Sequence, residues 1–127
     1  MEQMENVLVV DDEADILKLI SENLLARGYK VSEAKTAQDA LGQLSAGQPS
    51  LMVLDIKLPD LTGWELLEKI ESDPSISNEF PVLIMTASIT DANMDLQKYP
   101  CVVEVLIKPF SISNFISAVK RSLDRNR

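Results

Sequence analysis

The stretch Leu51-Met52-Val53-Leu54-Asp55-Ile56-Lys57-Leu58-Pro59-Asp60-Leu61-Thr62-Gly63 decides the fold, together with the segment it opens onto. Leu51 to Leu54 is apolar without alternation and stops at Asp55. A strand buried on both faces loses its period-two pattern, so this run belongs inside a parallel sheet covered on both sides. From Gly63 to Ser72 the period changes. Trp64, Leu66, Leu67 and Ile70 fall on one side of a helix that Asp73-Pro74 stops. One strand, one loop and one helix are thus legible in 22 residues.

The same cycle extends in both directions. Upstream, Val7 to Val10 is an apolar run halted by Asp11-Asp12. Asp15 to Arg27 carries Ile16, Leu17, Ile20, Leu24 and Leu25 at helical spacing and ends at Gly28, a C′ glycine. Tyr29 to Ala34 alternates like a partly exposed strand. Thr36 to Ala46 is helical through Ala37, Ala40, Leu41 and Leu44, with Gly47 and Pro49 closing it. Downstream, Pro81 to Met85 stops at Thr86, and Asp91 to Lys98 reads as a weaker helix with only Met94 and Leu96 clearly apolar. Val102 to Ile107 is β-rich and stops at Lys108-Pro109. Ser111 or Ser113 can cap a last helix burying Ile112, Phe115, Ile116, Val119 and Leu123. Five strands alternating with five helices predict an α/β fold, one domain over residues 1–127.

Composition narrows the chemistry. Twelve Lys and Arg against 20 Asp and Glu give a net charge of −8, which repels phosphate backbones and anionic membranes at long range. Direct nucleic-acid and membrane contacts are therefore not expected. The last eight residues run the other way: Lys120, Arg121, Arg125 and Arg127 outweigh Asp124, which suits a helix C-terminus or an acidic partner. With no histidine in the chain, Ser-His-Asp and Cys-His catalysis and His-ligated zinc are excluded. Cys101 is the lone cysteine and cannot form an internal disulfide. Apolar runs are too short to span a bilayer and the N-terminus shows no leader pattern, so a cytoplasmic location is expected.

In open parallel sheets, ligands bind beyond the carboxyl ends of the strands, where strand order reverses. Here those ends carry Asp11 and Asp12, Asp55, Thr86 and Lys108. Singly, each has a dull reading: Asp caps the next helix, Thr fills a strand end, and Lys often precedes Pro. Together they place three carboxylates, a hydroxyl and an ammonium at one edge. Carboxylates that close cannot all stay ionised without a counter-charge, and Mg²⁺ suits them because it takes oxygen ligands and keeps waters. Lys108 can pair with Asp55 or with an incoming anion, and Thr86 can donate to that anion. The set is a cage for phosphoryl transfer with Asp55 as nucleophile.

The chain resembles the receiver domain of two-component response regulators over essentially its whole length. The resemblance is carried by Val9-Val10-Asp11-Asp12, by residues 54–63, by Met85-Thr86-Ala87-Ser88 and by Ile107-Lys108-Pro109-Phe110. Pro59 and Gly63 stand four and eight positions after Asp55, as in that family. The resemblance implies a flavodoxin-like (βα)5 doubly wound sandwich with a five-stranded parallel sheet in the order 2-1-3-4-5. It also implies that Asp55 accepts a phosphoryl group from the phosphohistidine of a histidine kinase or histidine phosphotransfer domain. Asp12, Asp55 and the backbone carbonyl of Lys57 would coordinate Mg²⁺, or Mn²⁺ in its place, with Asp11 acting largely through a metal-bound water. Lys108 would contact the phosphoryl group, Thr86 would move toward it as the trigger, and Lys108-Pro109 would be cis. Lys57 and Ser88 lie where the family tunes the access of hydrolytic water.

One departure is Val105, where the family usually has a Tyr or Phe that swings inward; Cys101-Val102 replaces the usual Gly-Ala. Output is therefore expected to run through residues 87–90 and the weak helix after them. Trp64, Met94, Tyr99 and Phe110 read as packing residues. The expected role is a phosphorelay switch rather than a turnover enzyme, with its effector or output domain unknown and a phosphorylation-dependent homodimer left open. Alternatives are a degenerate receiver used only for docking and a Mg²⁺-dependent aspartyl-phosphate phosphohydrolase of the haloacid-dehalogenase kind. The latter would need Asp-x-Asp-x-Thr where this chain has Asp11-Asp12-Glu13-Ala14-Asp15. A flavodoxin-type FMN site would need a Thr/Ser/Gly-rich loop at the same place.

Overall fold

Strand and helix alternate as the periodicity requires: β1 Asn6–Val10, α1 Ala14–Ala26, β2 Lys30–Ala34, α2 Ala37–Ala46, β3 Leu51–Asp55, α3 Gly63–Ser72, β4 Val82–Thr86, α4 Ile89–Ala92, a 3-10 turn Leu96–Lys98, β5 Val102–Ile107 and α5 Ile112–Arg125. The computed structural model describes residues 4–76, 79–93 and 96–125. All five strands are parallel, in the order β2-β1-β3-β4-β5. Every residue of β3 and β4 is buried, whereas β2, at an edge, is partly exposed.

Alternate strand residues feed two cores. Val7, Val9, Leu51, Val53, Leu83 and Met85 pack against α1 and α5 through Leu17, Ile20, Leu24, Phe115 and Val119. Leu8, Val10, Met52, Leu54, Val82 and Ile84 pack on the opposite face against α2 and α3 through Ala40, Leu44, Leu66 and Ile70. A helix on each face explains why the central strands show no alternation in sequence.

Local signals set the helix ends. Thr36 caps α2 through the Asp39 amide, and Thr62 with Glu65 forms a capping box on α3. Gly28 adopts φ +90 after α1, the left-handed conformation that glycine accepts without a Cβ penalty. Ser111 caps α5 by accepting from the Asn114 amide.

Two regions differ from the sequence reading. The helix expected over 91–98 is a single turn, Ile89–Ala92, followed by the 3-10 turn. Ile89 is 67% exposed and Thr90, Asp91 and Asn93 are poor helix formers, so no apolar stripe anchors a longer helix. Met94 lies outside the described residues. The terminal cations do more than face a helix end: Arg121 and Arg125 both pair with Glu104 of β5, at 3.2 and 3.3 Å. Arg125 also donates to the Val103 carbonyl, at the point where the β4–β5 register shifts. Arg127 lies outside the described residues.

Candidate functional site

From β1 the chain crosses to β2 on one side, and later to β3 on the other, so a crevice opens beyond the carboxyl ends of β1 and β3. Val10 and Leu54 are register partners, which sets Asp11 and Asp55 side by side as the next residues along. The Asp11 amide donates to Ala34 (3.0 Å) and the Ile56 amide to Met85 (3.2 Å), extending the ladder past both carboxylates. Asp11 and Asp55 are buried and Asp12 is exposed. One oxygen from each of Asp11, Asp12 and Asp55 lies within 4.8 Å of the others.

Lys108 enters from the end of β5, held by its amide donating to the Thr86 carbonyl at 2.8 Å. The Lys108-Pro109 bond is cis, as the resemblance implied. Its Nζ donates to Asp11 Oδ2, Asp55 Oδ2 and Glu13 Oε1, each at 3.1 Å. Burial pushes the Asp11 carboxyl up to about 6, and the neighbouring Asp55 charge adds to that; the Glu13 amide and Lys108 pull against it. Burial opposes the Lys108 charge, but the hydrogen bonds to Asp55 and Glu13 and the charges of Asp11 and Asp55 hold it above the ordinary lysine range.

The loop after β3 returns tightly on itself. Lys57 bridges Thr62, and the Gly63 amide donates to the Ile56 carbonyl at 2.7 Å. A Cβ at Gly63 would lie 2.9 Å from Ile56 Cδ1, 3.0 Å from Ile56 Cα and 3.1 Å from the Asp55 carbonyl oxygen. The glycine is there because the helix start approaches the acceptor strand that closely. The Lys57 amide donates to Asp55 Oδ1 at 3.2 Å, while the Lys57 side chain is exposed. Asp60 accepts from the Ala37 and Gln38 amides at 2.9 Å, tying the loop to the start of α2.

Thr86 is buried at the end of β4, and its Oγ1 accepts from the Ser88 amide at 3.0 Å. Ser88 Oγ in turn accepts from the Asp91 amide, and Asp91 Oδ1 accepts from Trp64 Nε1 at 3.3 Å. The Trp64 and Tyr99 rings pack at a tilt of 31° with centroids 4.9 Å apart, and Phe110 stacks on Phe115, so Trp64, Tyr99 and Phe110 pack as the sequence indicated. Val105 is half-buried against the same core as Trp64 and Tyr99.

The sequence reading thus placed Asp11, Asp12, Asp55 and Lys108 together correctly and set Thr86 beside them. It missed Glu13 and Asp60. For Glu13 a signal existed: Glu stands at the start of a helix, where Ser, Thr, Asp or Asn is the favoured cap. Among the described residues the acidic set offers only oxygen donors, two of them buried, which fits a hard divalent cation. A separate groove of about 330 Å³, lined by Leu67, Ile70, Phe80, Tyr99 and Cys101, lies at the other end of β4 and β5 and takes no part in this site.

A doubly wound parallel sheet with a lysine-bridged carboxylate cluster at its switch point is the arrangement that the resemblance to receiver domains implied. Residues 7–120 match the model of the response regulator receiver domain, and the chain belongs to that family. It is 31% identical over 126 residues to the transcriptional regulatory protein PcoR of Escherichia coli, covering 98% of this chain and 54% of that protein. The chain thus spans about half the length of the curated relatives it matches. A CheY-like receiver domain protein from Methanospirillum hungatei superposes with a TM-score of 0.84 at 28% identity, covering 98% of this chain and 97% of that one. The response regulator TrrA of Thermotoga maritima, in complex with Mg(2+)-BeF, superposes with a TM-score of 0.78 at 29% identity over 93% of this chain and 98% of its own. Among the described residues no helix is long and apolar enough to cross a membrane.

Proposed function

We propose that residues 1–127 form one receiver unit that accepts a phosphoryl group on Asp55 from the phosphohistidine of a histidine kinase or histidine phosphotransfer domain. The observation that carries this is the Lys108 ammonium, 3.1 Å from both Asp55 and Asp11 in a cluster of three carboxylates. Asp12, Asp55 and the Lys57 carbonyl would hold Mg²⁺, or Mn²⁺, with Asp11 acting through a water. When bound, the cation offsets carboxylate charge and the charge on the transferring oxygens. An Asp55 oxygen attacks phosphorus as the P–N bond to the donor imidazole breaks. The Lys57 amide orients the carboxylate through its bond to Oδ1. Lys108 exchanges its Asp55 contact for a phosphoryl oxygen.

Thr86 then turns toward the phosphoryl group and gives up the Ser88 amide. Because Ser88 holds Asp91 and Asp91 holds Trp64, release shifts the α4 turn without an aromatic at Val105. The acidic domain itself does not contact nucleic acid; kinase, effector and any phosphorylation-dependent homodimer meet it at its surface.

Intact mass after treatment with a small phosphodonor and Mg²⁺ tests the site. One phosphoryl group is expected, and none in Asp55→Asn or with EDTA. Labelling that persists in Asp55→Asn overturns the assignment. Trp64 is the only tryptophan in the chain, so its fluorescence reads the switch. Thr86→Ala should take the label yet lose the fluorescence change.

A further inference from the structure

We propose that Glu13 is a positioning residue for Lys108, keeping its ammonium over Asp55 throughout the phosphoryl cycle; this rests on the phosphoacceptor reading above. An ammonium has three N–H donors, and here three carboxylates at 3.1 Å occupy all of them. Asp11 and Asp55 would be drawn away from Lys108 with a cation held and Asp55 phosphorylated. Glu13 is neither acceptor nor member of the three-carboxylate cluster, so its bond to Lys108 is the one that can persist. Without it, a side chain with four flexible carbons loses its last fixed partner just when the phosphoryl group needs it.

The local structure is arranged for this contact and against the ordinary use of the position. Glu13 is the N-cap of α1, with extended backbone (φ −80, ψ 107), and its carboxylate makes no cap hydrogen bond. The side chain that would normally satisfy the helix amides reaches Lys108 instead. Its own amide donates to Asp11 Oδ1 at 2.9 Å, so the carboxylate that binds Lys108 also fixes the turn that aims Glu13. The Glu13 side chain is 57% exposed, against 11% for Lys108, which places it on the outer wall that a donor reaches first.

Two opposed effects make the outcome decisive. An exposed carboxylate repels an anionic phosphodonor, so removing its charge alone would speed phosphorylation. Removing an anchor for Lys108 slows it. With acetyl phosphate and Mg²⁺, Glu13→Ala is expected to accept phosphoryl about threefold to tenfold more slowly, the range of one charge-assisted hydrogen bond at a half-exposed site. Glu13→Gln, which keeps an acceptor oxygen, should recover part of the rate. The Mg²⁺ affinity of both variants, measured by calorimetry, should stay within about twofold of wild type, since Glu13 acts through Lys108. In the metal-free protein, ¹⁵N–¹H spectra of lysine ammonium groups should show one protected signal, assigned by its loss in Lys108→Arg. Glu13→Ala should remove that protection.

An unchanged or faster rate, a protected Lys108 signal in Glu13→Ala, or Mg²⁺ affinity falling in step with the rate each overturns the proposal. Failure of wild type to take any phosphoryl group would sink the site assignment instead, and the ammonium spectrum would still decide whether Glu13 holds Lys108.

Discussion

Two corners of the same sheet edge are built in opposite ways. At the ends of β1, β3 and β5, Asp11 and Asp55 are buried, and Lys108, the Lys57 amide and the Glu13 amide meet them with hydrogen bonds of 2.9–3.2 Å. Among the described residues, no buried side-chain nitrogen or oxygen lacks a partner. Beyond β4, α4 is one turn, Ile89 points into solvent, and the segment is tethered by a succession of lone hydrogen bonds. Chemistry needs groups held within tenths of an ångström, and that calls for buried, fully bonded strands. A response to chemistry needs an element whose alternative costs little, and thinly packed segments supply it. The comparison predicts large effects from changes in the first corner and small ones in the second.

The largest concerns charge. Lys108→Ala leaves two adjacent buried carboxylates uncompensated and should cost about 3 kcal/mol in metal-free protein at pH 8, measured by urea unfolding. The Asp11 carboxyl is raised from 3.8 to about 6 by burial first of all. Its contribution to stability is therefore complete below pH 3.8 and lost as pH rises through about 6. Between those ends metal-free stability should fall by about 3 kcal/mol on this account. Lys108, raised in turn, loses its contribution only above the lysine range, so it is constant across that window. Asp11→Asn should flatten the slope and stabilise the metal-free protein at pH 8 while weakening Mg²⁺ binding. An unchanged slope would assign the titration to another group.

Next is packing. Gly63→Ala forces a Cβ against the backbone of Ile56 and Asp55, which no rotamer change relieves. It should cost about 2 kcal/mol and, by moving the acceptor strand end, weaken Mg²⁺ binding as well. The same substitution at Gly42, where a Cβ meets nothing within 4 Å, is the control and should leave Mg²⁺ binding unchanged.

What was legible in the sequence follows the same division. β1, β3 and β4 announced themselves because strands covered on both faces must be apolar at every position. The five site residues, Asp11, Asp12, Asp55, Thr86 and Lys108, announced themselves because they stand where strand runs stop. Glu13 was overlooked, since its partner lies 95 positions away and the one local signal, a Glu where Ser, Thr, Asp or Asn would cap the helix, does not name that partner. α4 was misjudged because a turn held by Ser88 and Asp91 side chains leaves no apolar period to detect. Asp60 was hidden for a related reason, its amide partners being 22 and 23 residues away. The Ala37 amide first, and then Gln38, hold its carboxyl below the usual range. Its contribution is therefore present at neutral pH and lost as pH falls through the folded value, below 3.8. Asp60→Ala should cost about 1 kcal/mol at pH 7, the worth of a helix cap, with the difference from wild type vanishing in acid.

The smallest effect tests the second corner. Asp91→Ala removes the acceptor for Trp64 Nε1, a bond of 3.3 Å that joins α4 to α3. The bond is long at 3.3 Å and α4 has little packing to lose, so the stability cost should stay under about 1 kcal/mol. The signalling cost should be out of proportion to it. With the tether gone, Trp64 fluorescence should already be shifted before phosphorylation and change little afterwards, while the rate at which Asp55 is labelled stays at the wild-type value. A loss of labelling in Asp91→Ala would mean that the α4 turn supports the acceptor site directly, and the division between a stiff chemical corner and a compliant output corner would fail.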